Sequence, residues 1–277
     1  MPELLEIQTT AEKLKPIIIK PILDIKSSEH LQHFFRNQYN FNFNNNVLIK
    51  SKITDLIRHG KKLFFKVKNK NKIFYLESQF GMTGSWLTFK EFTKKKHVHL
   101  QIKFKDLILG YQDPRRFGRF YLLTEQEFID KTNAPDPFNC SDGFNLQWLH
   151  PRIIKTSRAI KSILLDQNIF PGIGNYLASE ILFSAKILPT TKGVKLSKKQ
   201  ISKICTSTKS TLKRLYKYGG LSLKDYYQPD GMKGTVKGAL KTYLREDQNC
   251  LRKNCKGVIK KVYIQKRVTY YCPECQK

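Results

Sequence analysis

The spacing of apolar residues divides the chain into stretches of different character. Leu4, Ile7, Ala11 and Leu14 recur at helical spacing, which predicts a helix starting almost at the N-terminus and ending before Pro16. From about Ile17 to Leu123 the pattern is mostly that of strands. Lys62-Leu-Phe-Phe-Lys-Val-Lys68, an Asn/Lys turn and Lys72-Ile-Phe-Tyr-Leu76 predict a hairpin. Val98, Leu100, Ile102 and Phe104 alternate with His99, Gln101 and Lys103, the pattern of a strand with one face buried. The Gln/Asn-rich stretch Asn37 to Asn46 predicts a loop. Asn133-Ala-Pro-Asp-Pro-Phe-Asn-Cys-Ser-Asp-Gly143 has linker composition. Beyond it Ser157 to Gln167, Asn175 to Ala185 and Ser197 to Tyr218 have helical periodicity. Near the end, Val258 to Ile264 and Val268 to Tyr271 suit two short strands joined by Gln265-Lys-Arg267.

Charge narrows the class of partner. The 277 residues carry 51 Lys and Arg against 22 Asp and Glu, a formal charge of +29. Such a surplus repels itself in the compact state unless a polyanion neutralises it, and nucleic acid is the prime candidate. A membrane surface fits poorly, since no apolar run approaches a membrane span. Glu3, Glu6, Glu12 and Lys13 interrupt the first segment, which argues against an apolar signal peptide and for an intracellular protein. With 40% hydrophobic and 12% aromatic residues the chain is rich enough to build a core, and is not a disordered basic tail.

Four of the six cysteines, Cys250, Cys255, Cys272 and Cys275, fall in the last twenty-eight residues. In a reducing compartment such a quartet reads as a metal site before it reads as disulfides. Cys-x4-Cys and Cys-x2-Cys knuckles let four thiolates surround one Zn2+ with no open position, a structural site. The insert between them carries Lys260, Lys261, Lys266 and Arg267 beside aromatic residues, a composition suited to phosphate contact. Upstream, Pro171, Gly172 and Gly174 permit a tight turn between two helical segments, with Asn175 a good cap for the second. A helix start of this kind suits a phosphate.

These features occur in one order that resembles the formamidopyrimidine-DNA glycosylase family and its endonuclease VIII relatives. Met1-Pro-Glu-Leu-Leu-Glu-Ile-Gln-Thr-Thr10 is similar to that family's opening. Leu165-Asp-Gln-Asn-Ile-Phe-Pro-Gly-Ile-Gly-Asn-Tyr-Leu-Ala-Ser-Glu180 resembles its helix–two-turn–helix motif. Gly219-Gly-Leu-Ser-Leu-Lys-Asp225 with Asp230-Gly231 resembles the segment before the ribbon in the formamidopyrimidine branch, and the cysteine quartet resembles its C-terminal zinc finger. There are departures. Leu5 replaces a proline, Gln8 replaces a glutamate, Gln79 stands where many members have histidine, and the first knuckle has four intervening residues where two are usual.

The resemblance implies an α+β fold: an N-terminal helix with a β-sandwich over residues 1–132, a linker at 133–145, a helix–two-turn–helix domain at 146–249 and a zinc ribbon at 250–277. It also implies a chemistry. Removal of Met1 would expose the secondary amine of Pro2. Alpha-amines have reference pKa values near 8, so an appreciable fraction is unprotonated near neutrality. That amine can attack C1′ of a deoxyribose and form an iminium ion, from which the flanking phosphates are eliminated. Glu3 is the candidate general acid/base and Glu6, one turn on, a supporting group. Lys61 is the implied lysine of a hairpin contact, with Lys62 the adjacent alternative. Asn175 and Arg267 are implied phosphate contacts, and Lys260 joins them on the basic ribbon. Met82, Arg115 and Phe117 match the residues that fill the gap left by a flipped nucleotide. The expected partner is damaged double-stranded DNA, the expected state a monomer, and the expected lesions oxidised purines. A preference for oxidised pyrimidines, or a DNA-binding protein that has lost catalysis, are the alternatives.

Overall fold

The computed structural model describes residues 2–35, 48–139, 143–221 and 226–277; the expected Asn37 to Asn46 loop lies outside them. Two compact units form. One contains residues up to Asn133 together with Gly219–Thr235, the other Ala134–Tyr218 with Val236–Lys277. The expected division kept residues 146–249 together. Instead Gly219–Thr235 belongs to the first unit, held by long-range hydrogen bonds that no local pattern announces: Tyr226 to Glu6 and Thr88 to Pro229.

The first unit is a sandwich of two four-stranded antiparallel sheets with helix α1, Leu4–Ile18, packed on it. One sheet has the order β2 (Lys52–His59), β3 (Lys62–Asn69), β4 (Lys72–Gln79) and β8 (Arg119–Leu123). The other runs β1 (Asp24–Ser27), β6 (Val98–Lys103), β7 (Ile108–Gln112) and β5 (Ser85–Phe89). Leu63, Phe65 and Val67 alternate along β3 into a core shared with Trp86, Leu100, Ile102, Tyr111 and Phe120, and with Ile7, Leu14 and Ile18 of α1. The opposite face of β3 and β4 is covered by α3, Glu125–Lys131, whose Phe128 stacks on Tyr75 with ring centres 4.1 Å apart. A four-residue helix, α2 (Leu31–Phe34), closes one flank.

Two expectations need correction here. The first helix does not stop before Pro16; Pro16 lies inside it, on the exposed side. The carbonyl deprived of a partner there belongs to exposed Glu12, which water can satisfy, while buried Ile18 extends the apolar stripe by one turn beyond Leu14. Strand β6 is buried on both faces, not one. His99 bonds to Ser28 and to the Asp113 carbonyl, and Gln101 bonds to both the N–H and the C=O of Thr93, so the polar face is satisfied internally.

The second unit holds α4 (Leu146–Ile154), α5 (Ile160–Leu164), α6 (Asn175–Ala185) and α7 (Lys198–Tyr216), followed by the ribbon strands β9 (Lys260–Ile264) and β10 (Arg267–Tyr271). The expected Ser157 to Gln167 helix contracts to α5, because Asp166 accepts the N–H of Asn168 and starts the turn there. Ser197 caps α7 through the N–H of Gln200. In the ribbon the turn is two residues, Gln265 and Lys266, both at positive φ, and Arg267 belongs to the strand, opposite Ile264.

Candidate active-site and nucleic-acid-binding residues

The chain start is buried in its own unit. Pro2 and Glu3 precede the first turn of α1, with Glu3 at the N-cap. One oxygen of Glu6 accepts the Glu3 N–H at 2.6 Å, the returning half of a capping box. Its other oxygen accepts the N–H of Leu221, in the segment that resembles the formamidopyrimidine branch. Gly219 and Gly220 at positive φ make that approach possible: a Cβ on Gly220 would lie 2.6 Å from the Glu6 carboxylate. The Tyr226 hydroxyl donates to the Glu6 carbonyl at 2.7 Å and lies 3.0 Å from Thr10. Burial, with the Glu6 charge nearby, holds that hydroxyl protonated far above its usual range, so it remains a donor. Glu6 therefore fixes where the N-terminus and the Gly219–Leu221 turn sit. It is a positioning group, while Glu3 keeps the place nearest Pro2. The departure at Gln8 is accommodated: its side-chain oxygen Oε1 accepts the Arg58 Nε–H at 2.7 Å.

Met82, Arg115 and Phe117 come together on two touching loops of the same unit. Gly81 lets the backbones meet, since a Cβ there would lie 2.5 Å from the Phe117 carbonyl carbon. Thr83 donates its hydroxyl to Asp113 and accepts the Arg115 N–H at 3.2 Å. Asp113, fully buried, also accepts the Gly118 N–H at 2.8 Å. The base of the pair is thus locked while its tips stay open: Met82 is 40% and Phe117 49% exposed, and the Arg115 guanidinium lies 4.7 Å from the Phe117 ring centre. Large apolar side chains left outside a well-filled core suit contact with another molecule. The Thr83–Asp113 bond escaped sequence reading, because nothing local signals a bond across 30 residues.

Lys61 occupies the turn between β2 and β3, beside Gly60 at positive φ. Its rival Lys62 lies 3.8 Å from buried Glu77, which also holds Lys131 at 2.8 Å. Lys62 thus serves the sheet.

In the second unit the turn and the ribbon meet. Asn175 is the first residue of α6, not its cap, which is Gly174; its amide donates to the Val268 carbonyl at 2.8 Å. That bond sets Asn175 one residue from Arg267. The ribbon register puts Lys260 on the same face as Arg267, although Lys260 shares its charge with Asp247 at 3.2 Å. Gln167 ties the two turns before α6 together, donating to the Leu165 and Ile173 carbonyls and accepting from Gly172. Buried Lys161 reaches the Asn175 carbonyl at 2.7 Å and Ser179 at 2.8 Å. Fully buried Glu180 accepts the N–H groups of Lys241, Thr242 and Tyr243 and pairs with Arg214 at 3.0 Å, fixing the chain that leads into the ribbon. None of Gln167, Lys161 or Glu180 was singled out from sequence; their polar character inside helical segments was the available signal.

The sulfurs of Cys250, Cys255, Cys272 and Cys275 lie within 4.8 Å of one another and could hold a metal ion. The longer first knuckle turns through Asn254 at positive φ and closes with the Cys255 N–H on the Arg252 carbonyl. Arg252 then reaches back to Cys275 at 3.3 Å and to the Phe183 carbonyl of α6. Burial pushes the Cys250 thiol up to about 12, whereas a backbone N–H at Gly257 draws Cys255 down. As four thiolates the sulfurs would repel one another, and a cation at their centre would offset that repulsion.

Comparison with known proteins fits this geometry. The model of the formamidopyrimidine-DNA glycosylase N-terminal domain matches residues 1–120, and that of the formamidopyrimidine-DNA glycosylase H2TH domain matches residues 134–226. A formamidopyrimidine-DNA glycosylase of Exiguobacterium is 33% identical over 288 residues, covering all of both chains. Among solved structures, the Lactococcus lactis glycosylase in complex with DNA containing an abasic site superposes with a TM-score of 0.87 at 28% identity, covering 99% of each chain. A MutM in complex with DNA containing carbocyclic 8-oxo-G gives 0.85 at 28% identity, covering 100% of each. The chain belongs to the formamidopyrimidine-DNA glycosylase family.

Proposed function

We propose that this chain is a bifunctional DNA glycosylase and abasic-site lyase of base excision repair, acting on oxidised purines in duplex DNA. The observation that carries the reading is the buried Pro2-Glu3 start, fastened by Glu6, in the unit that also exposes Met82, Arg115 and Phe117 together. Once Met1 is removed, the Pro2 lone pair attacks C1′ as the bond to the damaged base breaks and the amine gives up its proton. Opening of the C1′–O4′ bond, with O4′ taking up a proton, then leaves an iminium ion. The iminium acidifies the C2′ proton; its loss expels the 3′ phosphate, and a second elimination expels the 5′ phosphate. Glu3 handles protons at the sugar. Met82, Arg115 and Phe117 occupy the gap left by the flipped nucleotide and reduce its unstacking cost of a few kcal/mol. Lys61, Asn175, Arg267 and Lys260 grip phosphates.

The cysteine quartet fits one structural Zn2+. Zn–S bonds of about 2.3 Å give a tetrahedron with edges of about 3.8 Å. The Cys250–Cys275 and Cys255–Cys272 separations are 3.9 and 3.6 Å. A cation held by four sulfurs supplies no reactive position; it fixes the ribbon that carries Arg267.

A turnover assay comparing 8-oxoguanine opposite cytosine with thymine glycol tests the substrate. Faster release of 8-oxoguanine is expected. A strong preference for thymine glycol would place the chain with oxidised pyrimidines instead.

A further inference from the structure

Helix α7 carries an unclaimed basic face. Lys199, Lys203, Thr206, Ser210, Lys213 and the C-cap Lys217 follow one another at spacings of three and four, so they form a single stripe, and all six are exposed. Ile201, Ile204, Thr208, Leu212 and Leu215 bury the opposite face against α6 and α4. The ribbon and Asn175 are attached to α6, on which the buried face of α7 packs, and the stripe lies on the exposed face of α7.

The stripe is electrostatically unfavourable as it stands. No acidic residue occurs between Glu180 and Asp225, so no carboxylate on this helix can pair with it. Among the described residues none of the four lysines makes an ion pair. Lys199 and Lys203, like Lys213 and Lys217, are like charges one turn apart, and Lys198 and Lys199 place cations at the positive end of the helix. Between the lysine pairs, Thr206 and Ser210 turn their hydroxyls back onto helical carbonyls and leave a low, uncharged floor. At a rise of 1.5 Å per residue the stripe is about 27 Å long, the length of about eight base pairs of duplex.

We propose that this face of α7 is a second track for the DNA backbone, binding duplex outside the stretch held at the lesion. The occupant is a phosphate polymer, because the stripe offers regularly placed cations without the apolar anchors of a protein interface. The proposal rests on the reading of this chain as a DNA-repair enzyme, and it adds a surface that holds undamaged DNA during search.

The test is a Lys199→Gln/Lys203→Gln/Lys213→Gln/Lys217→Gln variant, with the four Lys→Arg changes as a charge-preserving control. Affinity for a lesion-free duplex of about thirty base pairs is measured against salt, and folding is checked by thermal melting. Each phosphate contact contributes about 0.9 to the slope of log affinity against log salt, so the glutamine variant should lose about 2–4 from the slope and the arginine variant nothing. Borohydride trapping on a short abasic duplex should be unchanged in both. An unchanged slope in the folded glutamine variant would overturn the proposal and leave the stripe to solvent or an acidic protein. Equal losses of slope and trapping would also overturn it, since the stripe would then belong to the lesion-holding surface. A native protein that binds duplex but never traps refutes the enzyme reading alone and leaves the slope measurement decisive for the stripe.

Discussion

At the scale of single residues, buried acceptors decide what the exposed ones can do. Asp113 holds both Thr83 and Gly118, and through them the loops that carry Met82, Arg115 and Phe117. Asp113→Asn keeps the shape but offers only one acceptor oxygen, so one of the two donors is left facing an amide. A buried donor without a partner costs about 1–3 kcal/mol, which urea unfolding should register. Excision should fall more than trapping on abasic DNA, where no base needs to be extruded. His99 gives a pH dependence of defined sign. Burial holds its pKa below the ordinary 6.5, against the pull of Asp113 and with His30 and His97 adding to the depression. Below about pH 6.5 the unfolded chain takes up a proton that the folded chain resists, so stability is complete above that value and declines as pH falls towards the folded pKa. His99→Asn should flatten that decline in melting temperatures recorded between pH 7 and 5. The sequence marked Pro2, Glu3 and Glu6 only through resemblance, because a proline and two glutamates at a helix start are ordinary capping chemistry. What made Glu6 more than a cap is its bond to Leu221, 215 residues away.

At the scale of elements, legibility followed locality. The β3–β4 hairpin, α6 and α7 have strong periods, α7 with a short-range cap at Ser197, and they occur where their patterns put them. Helix α4 was missed, since Pro151 lies inside it and its only buried apolar residues are Leu149 and Ile153, one turn apart. The polar helix α3 was missed for the same want of an apolar stripe. The ribbon was legible through its cysteines, and its core is small, with Phe183, Ile259, Tyr270 and Val268 packed beside the cysteines. Removing the metal with a chelator should release about one zinc per chain and expose the four thiols to a thiol reagent. It should also weaken duplex binding, because Arg267 and the Val268–Asn175 bond depend on the ribbon. Thiols that titrate fully before chelation, with no metal released, would refute the structural-zinc assignment.

At the scale of the whole molecule, charge was the most legible property and connectivity the least. A charge of +29 pointed to a polyanion before any fold was known. The return of Gly219–Thr235 to the first unit had no local signature, yet it brings Gly220, Leu221 and Tyr226 onto Glu6 and Thr10. The chain start and the Gly220–Leu221 turn are therefore both held by Glu6. Among the described residues no helix is long and apolar enough to cross a membrane.

The central claim is that the Pro2 amine forms a covalent bond with the sugar of damaged DNA, and borohydride trapping tests it most directly. Protein whose Met1 has been removed should be captured as a stable adduct on an abasic duplex, with the mass of the linkage mapping to Pro2. Pro2→Gly, or protein retaining Met1, should be captured poorly or not at all. No adduct with the mature native protein, or equal trapping when Met1 is retained, would contradict the account.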